Sequence, residues 1–163
     1  EVAAELRALD FGSWFGKEFA GQRIVTVAEM IEECLDRIPV VFEIKDARAT
    51  RPLIELLRTA NSIDRVQITS FIWYPLLESR ALDDQVEIGF LTPAFEPAMI
   101  DRIVNRGFNR ICPHISQLTA KRVALAHDRG LTVRAWGIDN RLQIERLHET
   151  GVDGATLNWP DWA

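Results

Sequence analysis

In the segment PVVFEIK, residues 39–45, an apolar run ends in Glu43, Ile44 and Lys45. On a β-strand, side chains alternate with period two, so Val41, Glu43 and Lys45 share one face. A carboxylate and an ammonium buried there are costly unless they pair with each other or bind something. The chemistry this pair offers is therefore ligand binding, because both charges sit at the carboxyl end of the strand. In β/α barrels and open α/β sheets, that end is where ligands bind. Three plainer readings stand beside it: the solvated face of an antiparallel edge strand, a structural ion pair, and two charges lying just past the strand in solvent. The other reactive residues point less clearly to a site. Cys34 and Cys112 have neither CxxC nor metal-ligand spacing and read as buried, reduced thiols. His127 and His148 fall in the last turns of expected helices, where a structural role is favoured. His114 follows Cys112-Pro113 at a strand end and so can face a site, although a surface or loop role is favoured.

These side chains need elements to hold them. Six short apolar segments read as strands: Val40–Lys45, Val66–Phe71, Val86–Leu91, Arg110–Pro113, Thr132–Trp136 and Gly154–Leu157. Helical patterns fill the gaps between them. Thr26 and Glu29 make a capping-box pattern ahead of Met30, Ile31, Cys34 and Leu35. Thr50 precedes Leu53, Leu56, Leu57 and Ala60 at helical spacing. Pro97, Thr119 and Asn140 open helices that Gly107, Gly130 and Gly151 end. Strands alternating with helices predict βαβ units and a parallel sheet. Crossover helices bury both faces of such a sheet, which explains the nearly continuous apolar strands. It also argues against the antiparallel-edge reading of Glu43 and Lys45.

The 163 residues are 47% hydrophobic and 26% charged, enough for one sizeable core in an ordinary globular chain. The net charge of −5 gives no nucleic-acid footprint, which needs a clustered basic surface. Only Lys17, Lys45 and Lys121 are lysines, against 16 arginines, which makes Lys45 more noticeable. No apolar run approaches the ~20 residues of a membrane span. No signal peptide is visible and the chain starts with Glu1, so a processed or trimmed N-terminus is expected. The expected location is cytoplasmic, with an exported form whose signal has been removed as the alternative.

VFEIK resembles the Glu-x-Lys strand of the glycerophosphodiester phosphodiesterase family. The likeness runs through most of the chain. LRALDFGSWFGKEFAGQRIVTVAEMIE is similar to the loop and helix before that strand, VQITSF to the next strand, and LTAKRVALAHDRGLTVRAWGIDN and TGVDGATLNWP to two later segments. The order and spacing of these pieces carry the resemblance. It implies a TIM-barrel-type (β/α) parallel barrel of the phospholipase-C-like phosphodiesterase architecture. It also implies hydrolysis of glycerophosphodiesters to glycerol 3-phosphate and an alcohol, with a divalent cation, Ca²⁺ or Mg²⁺. On this likeness Glu43 is one carboxylate ligand of the metal, since hard cations prefer oxygen ligands. Lys45 sits beside the phosphate and offsets charge that develops in the transition state. Trp136 lines the glycerol pocket, and Phe71 is assigned there with it; the plain alternative for both is a core aromatic.

The family's His-Arg-Gly and Glu-x-Asp motifs do not occur here, and none of the expected strands ends in the family's His-Asp. Residues 1–163 are therefore expected to form a single domain, the C-terminal portion of a barrel incomplete at its N-terminus. No catalytic acid or base is assigned within the chain, because those histidines are expected in the missing part. A β/α barrel runs to ~200–250 residues, and six strands cannot close eight-stranded geometry. Two unpaired edges would remain, so the chain alone is expected to fold poorly, to self-associate or to need the missing N-terminal part. Gly137-Ile138-Asp139-Asn140 replaces the family's Thr-Val-Asn after the tryptophan, and Leu157-Asn158 replaces Thr-Asp. Three readings follow: part of a metal-dependent phosphodiesterase acting on a small-molecule glycerophosphodiester, a non-catalytic partial barrel that binds phosphate ligands or assembles, and a phospholipase D-like enzyme on the same barrel.

Overall fold

Six strands lie side by side in chain order and all run parallel: β1 (Val40–Glu43), β2 (Val66–Ser70), β3 (Glu87–Thr92), β4 (Arg110–Pro113), β5 (Thr132–Ala135) and β6 (Gly154–Ala155). The computed structural model describes residues 3–35 and 37–162. By their contacts, residues 1–38 and 39–163 form two separate compact units.

In the first unit, α1 (Ala3–Ala8) and α2 (Val27–Cys34) flank a loop held by one carboxylate. Asp10 accepts hydrogen bonds from the backbone N–H groups of Gly12, Ser13 and Gly21 and from the Ser13 hydroxyl. These donors, led by Ser13, hold its carboxyl far below the usual range. The expected capping box is formed. Thr26 Oγ1 accepts from the Glu29 N–H at 3.2 Å, and the Glu29 carboxylate accepts from the Thr26 N–H at 2.8 Å. Cys34 is only half-buried, unlike the fully buried thiol expected for it, because it lies in the last turn of a short helix.

The second unit carries the sheet. Helices α3 (Thr50–Thr59), α4 (Trp73–Leu82), α5 (Pro97–Val104), α6 (Ala120–Asp128) and α7 (Leu142–Thr150) follow β1 to β5 in turn. Each pairs an apolar face with the sheet. Ile54 and Leu57 of α3, Leu76 of α4 and Ile103 of α5 are fully buried with Ile68, Ile88 and Ile111 of β2, β3 and β4. Thr119 caps α6, its hydroxyl accepting from the Arg122 N–H, and Gly151 ends α7 at φ +74°. No helix among the described residues is long and apolar enough to cross a membrane.

Burial on both faces is nearly complete in β2, β3 and β4 and gives way in β1, β5 and β6. All five residues of β2 are buried, and five of six in β3. In β1, Val41 and Glu43 are exposed while Val40 and Phe42 are half-buried. Val41 and Glu43 are on the face of β1 that opens on the concave side of the sheet. Among the described strands, β1 pairs only with β2 and β6 only with β5. The sheet is thus half of a β/α barrel with two free edges.

On the concave side, near the amino ends of the strands, polar side chains satisfy one another. The Arg110 guanidinium donates to Gln67 Oε1 at 2.9 Å and to Thr132 Oγ1 at 2.7 Å, and lies 3.8 Å from the Glu87 carboxylate. These four residues sit on β4, β2, β5 and β3 and tie the sheet together across its inner face.

Candidate functional site

At the opposite, carboxyl end of the strands, the concave side forms a cavity of about 330 Å³. It is lined by Val41 and Glu43 from β1, Thr69 and Phe71 from β2 and its exit, and Leu91 from β3. Arg134 and Trp136 line it from β5 and its exit, followed by Gly137, Ile138 and Asp139, and then by Thr156 and Asn158 beyond β6.

Glu43 faces the cavity because the next residue is locked outward. The Ile44 N–H donates to the Thr69 carbonyl at 2.8 Å, and the buried Ser70 hydroxyl donates to the Ile44 carbonyl at 2.7 Å. Ile44 itself is buried. The alternation then sends Glu43 and Lys45 to the concave face. Strand β1 ends at Glu43, so Lys45 lies past it, where Val40–Lys45 was the expected strand. The Lys45 side chain is 80% exposed, and its Nζ stands 3.8 Å from Glu43 Oε2. An ion pair this open is worth at most about 1 kcal/mol, so it leaves both groups available to a ligand. Asp46, by contrast, is committed. The Arg48 side chain and N–H hydrogen-bond its carboxylate and pull its pKa down to about 2.

Trp136 is fixed from three sides. Its indole Nε1–H donates to the Cys112 carbonyl at 3.0 Å. Phe71 packs perpendicular to it at 5.1 Å between centroids, and His114 packs edge-on at 4.6 Å. His114 Nδ1 accepts from the Ser116 N–H, which caps a short 3₁₀ turn. Gly137 makes this arrangement feasible: its φ is +78°, and a Cβ there would lie 2.4 Å from the His114 ring. Glu43, Phe71 and Trp136 thus line one cavity, Lys45 is not among the lining residues and reaches it only through its 3.8 Å approach to Glu43, and His114 supports Trp136 without lining the cavity. His127 lies elsewhere, its Nε2 2.9 Å from Asp153.

Arg134 was not singled out from the sequence, although the signal was present: it stands two residues before Trp136 and so shares its face. Asn158, at the position of the altered Leu157-Asn158 pair, and Asp139 of the altered segment after Trp136 both reach the cavity.

The family model of the glycerophosphoryl diester phosphodiesterases matches residues 2–162. The chain belongs to that family. It is 28% identical over 163 residues to a glycerophosphodiester phosphodiesterase of Caldanaerobacter subterraneus subsp. tengcongensis, covering 96% of this chain and 67% of that protein. Among solved structures it is similar to an Oleispira antarctica phosphodiesterase in complex with the product sn-glycerol-3-phosphate. That match has a TM-score of 0.88 at 24% identity and covers 96% of this chain and 66% of the other. It is also similar to a glycerophosphodiester phosphodiesterase from Agrobacterium tumefaciens, with a TM-score of 0.80 at 18% identity, covering 99% and 70%. The chain spans about two thirds of the length of these relatives. Its parallel half-barrel is accordingly of the TIM-barrel type seen in the family.

The family's divalent cation can be tested against this cavity. Ca²⁺ takes six to eight oxygen ligands, and Mg²⁺ six in octahedral array. Among the described residues no cluster of three or more His, Cys, Asp or Glu side chains could hold a metal ion. Glu43 supplies one carboxylate, already beside Lys45. These residues alone do not make a cation site.

Proposed function

We propose that this chain contributes the phosphate- and glycerol-facing wall of a site that hydrolyses glycerophosphodiesters to glycerol 3-phosphate and an alcohol. The observation that carries this reading is the convergence of Glu43, Phe71 and Trp136 on one cavity at the carboxyl ends of a family barrel. Trp136 and Phe71 offer an apolar corner for the carbon chain of glycerol. Lys45, exposed and weakly held, is free to swing toward a phosphate and offset its charge. Glu43 offers a carboxylate oxygen toward a Ca²⁺ or Mg²⁺ ion whose remaining ligands are not among the described residues. Proton transfer likewise needs groups beyond those lining the cavity.

The test is release of glycerol 3-phosphate from a glycerophosphodiester, with Ca²⁺ or Mg²⁺ and with EDTA. Cation-dependent release that Glu43→Ala abolishes supports the reading. Full cation-dependent release by Glu43→Ala removes Glu43 from it. A second reading, a phosphate-ligand binding or assembly module, is favoured by the small donor set and by the free edges of β1 and β6. It predicts saturable binding of glycerol 3-phosphate without turnover, and self-association visible as concentration-dependent sedimentation.

A further inference from the structure

Arg134 lines the cavity from β5, two residues below Trp136. Its aliphatic stem lies over Gly154, whose missing side chain leaves room for Cγ and Cδ at 3.6 and 3.8 Å from an added Cβ. Its Nε is buried and has no hydrogen-bond partner. No ion pair joins it to a carboxylate among the described residues: Glu43 is beside Lys45, Glu87 is beside Arg110, and Asp139, which shares the cavity, is not hydrogen-bonded to it. Arg110, deeper on the same face, adds positive potential but is itself satisfied. A guanidinium held by its stem, with a buried Nε–H that has no partner, is built to take an oxyanion through paired N–H groups.

We infer that Arg134 forms an oxyanion subsite in the cavity that grips the phosphate of a phosphate ester without a metal ion. The identity of the ester rests on the proposed hydrolysis; the subsite itself does not. Burial, with Arg110 nearby, depresses the guanidinium's pKa against a smaller opposing pull from Cys112. An arginine keeps its charge under such a pull, and a bound phosphate would relieve it.

The probe is methyl phosphate in EDTA, followed by calorimetry and by the Arg134 Nε–H resonance. The intact chain is expected to bind it saturably and shift that resonance. Arg134→Met is expected to weaken binding at least tenfold, and Arg134→Lys to fall between because it keeps charge but loses the fork. Arg48→Met, which removes a surface charge of the same sign, should leave binding within twofold. Equal binding by Arg134→Met, an equal loss in Arg48→Met, or equal binding of acetate would each overturn the subsite. Should either Arg134 variant fail to fold, an unmoved Arg134 resonance in the intact chain at saturating methyl phosphate overturns it too. Methyl phosphate binding that depends on Arg134 while no glycerophosphodiester binds keeps the subsite and counts against the hydrolytic reading. Cation-dependent hydrolysis with no metal-free methyl phosphate binding does the reverse.

Discussion

Two polar layers share the concave face of this sheet and differ in what their polar groups meet. Near the amino ends, Arg110, Gln67, Thr132 and Glu87 hydrogen-bond or pair with one another. Near the carboxyl ends, Glu43, Lys45 and Arg134 sit around or beside a cavity and are weakly paired or unpaired. Each layer holds an arginine and a glutamate, but their hydrogen bonding differs. A buried polar group contributes to stability when its hydrogen bonds are complete and is costly when they are not. The lower layer thus reads as structure, and the upper one as groups held ready for something that binds.

This contrast is sharpest under Arg110→Met. Hydrogen bonds to charged groups are worth about 1.5–3 kcal/mol, and a buried partner left unsatisfied costs about 1–3 kcal/mol. Gln67, 4% exposed, would lose its acceptor contact. Urea unfolding should show a loss of about 2–3 kcal/mol, with a smaller loss of methyl phosphate affinity than Arg134→Met gives. Arg134→Met should show the opposite pattern, with little lost stability and much lost binding. If both substitutions cost the same stability, the division between layers is wrong.

Gly137→Ala should come next. The substitution forces alanine to φ +78° and drives its Cβ into the His114 ring. Left-handed backbone alone costs about 1–2 kcal/mol. The indole N–H resonance of Trp136 should shift as its seat between Phe71 and His114 changes. An unshifted indole would show that His114 does not position it.

Phe71→Ala should act in the reverse sense. Phe71 is 45% exposed, so its edge contact with Trp136 contributes under about 1 kcal/mol to folding. Losing one wall of the apolar corner should weaken sn-glycerol 3-phosphate binding about fivefold, equivalent to roughly 1 kcal/mol. A stability loss larger than the binding loss would return Phe71 to the core-aromatic reading.

Much of this architecture is legible in the sequence because it rests on local patterns. Each of the six expected strands overlaps an observed one, and the Thr26–Glu29 box and the Thr119 cap formed as read. Period-two alternation put Glu43 on the face it shares with Val41, which the structure turns to the concave side. It did not say where β1 would end, because strand length depends on a partner: pairing with β2 runs out at Glu43↔Thr69. Arg134 and Arg110 were passed over for a related reason. Their charges only become informative once the neighbouring strands show which has hydrogen-bond partners and which has none. The exposure of Val41 likewise depends on what faces β1 across the concave side, which no local pattern encodes.

The smallest expected effect belongs to Asp153, at the amino end of β6. Its carboxylate accepts from the Val133 N–H at 2.7 Å and lies 2.9 Å from His127 Nε2. Burial works to raise its pKa, and these hydrogen bonds outweigh it, so the folded value falls below the ordinary carboxylate value of about 3.9. A depressed carboxylate contributes stability that is complete above its unfolded pKa and is lost as pH falls through the folded one. Thermal unfolding should therefore soften below about pH 4, and Asp153→Asn should flatten part of that acid slope while leaving the neutral-pH cavity chemistry unchanged. Asp153 belongs with the satisfied groups of the lower side, so its loss should register in stability alone. A change in methyl phosphate affinity on Asp153→Asn would mean that the two ends of the sheet are coupled through β5, the strand that carries both Val133 and Arg134.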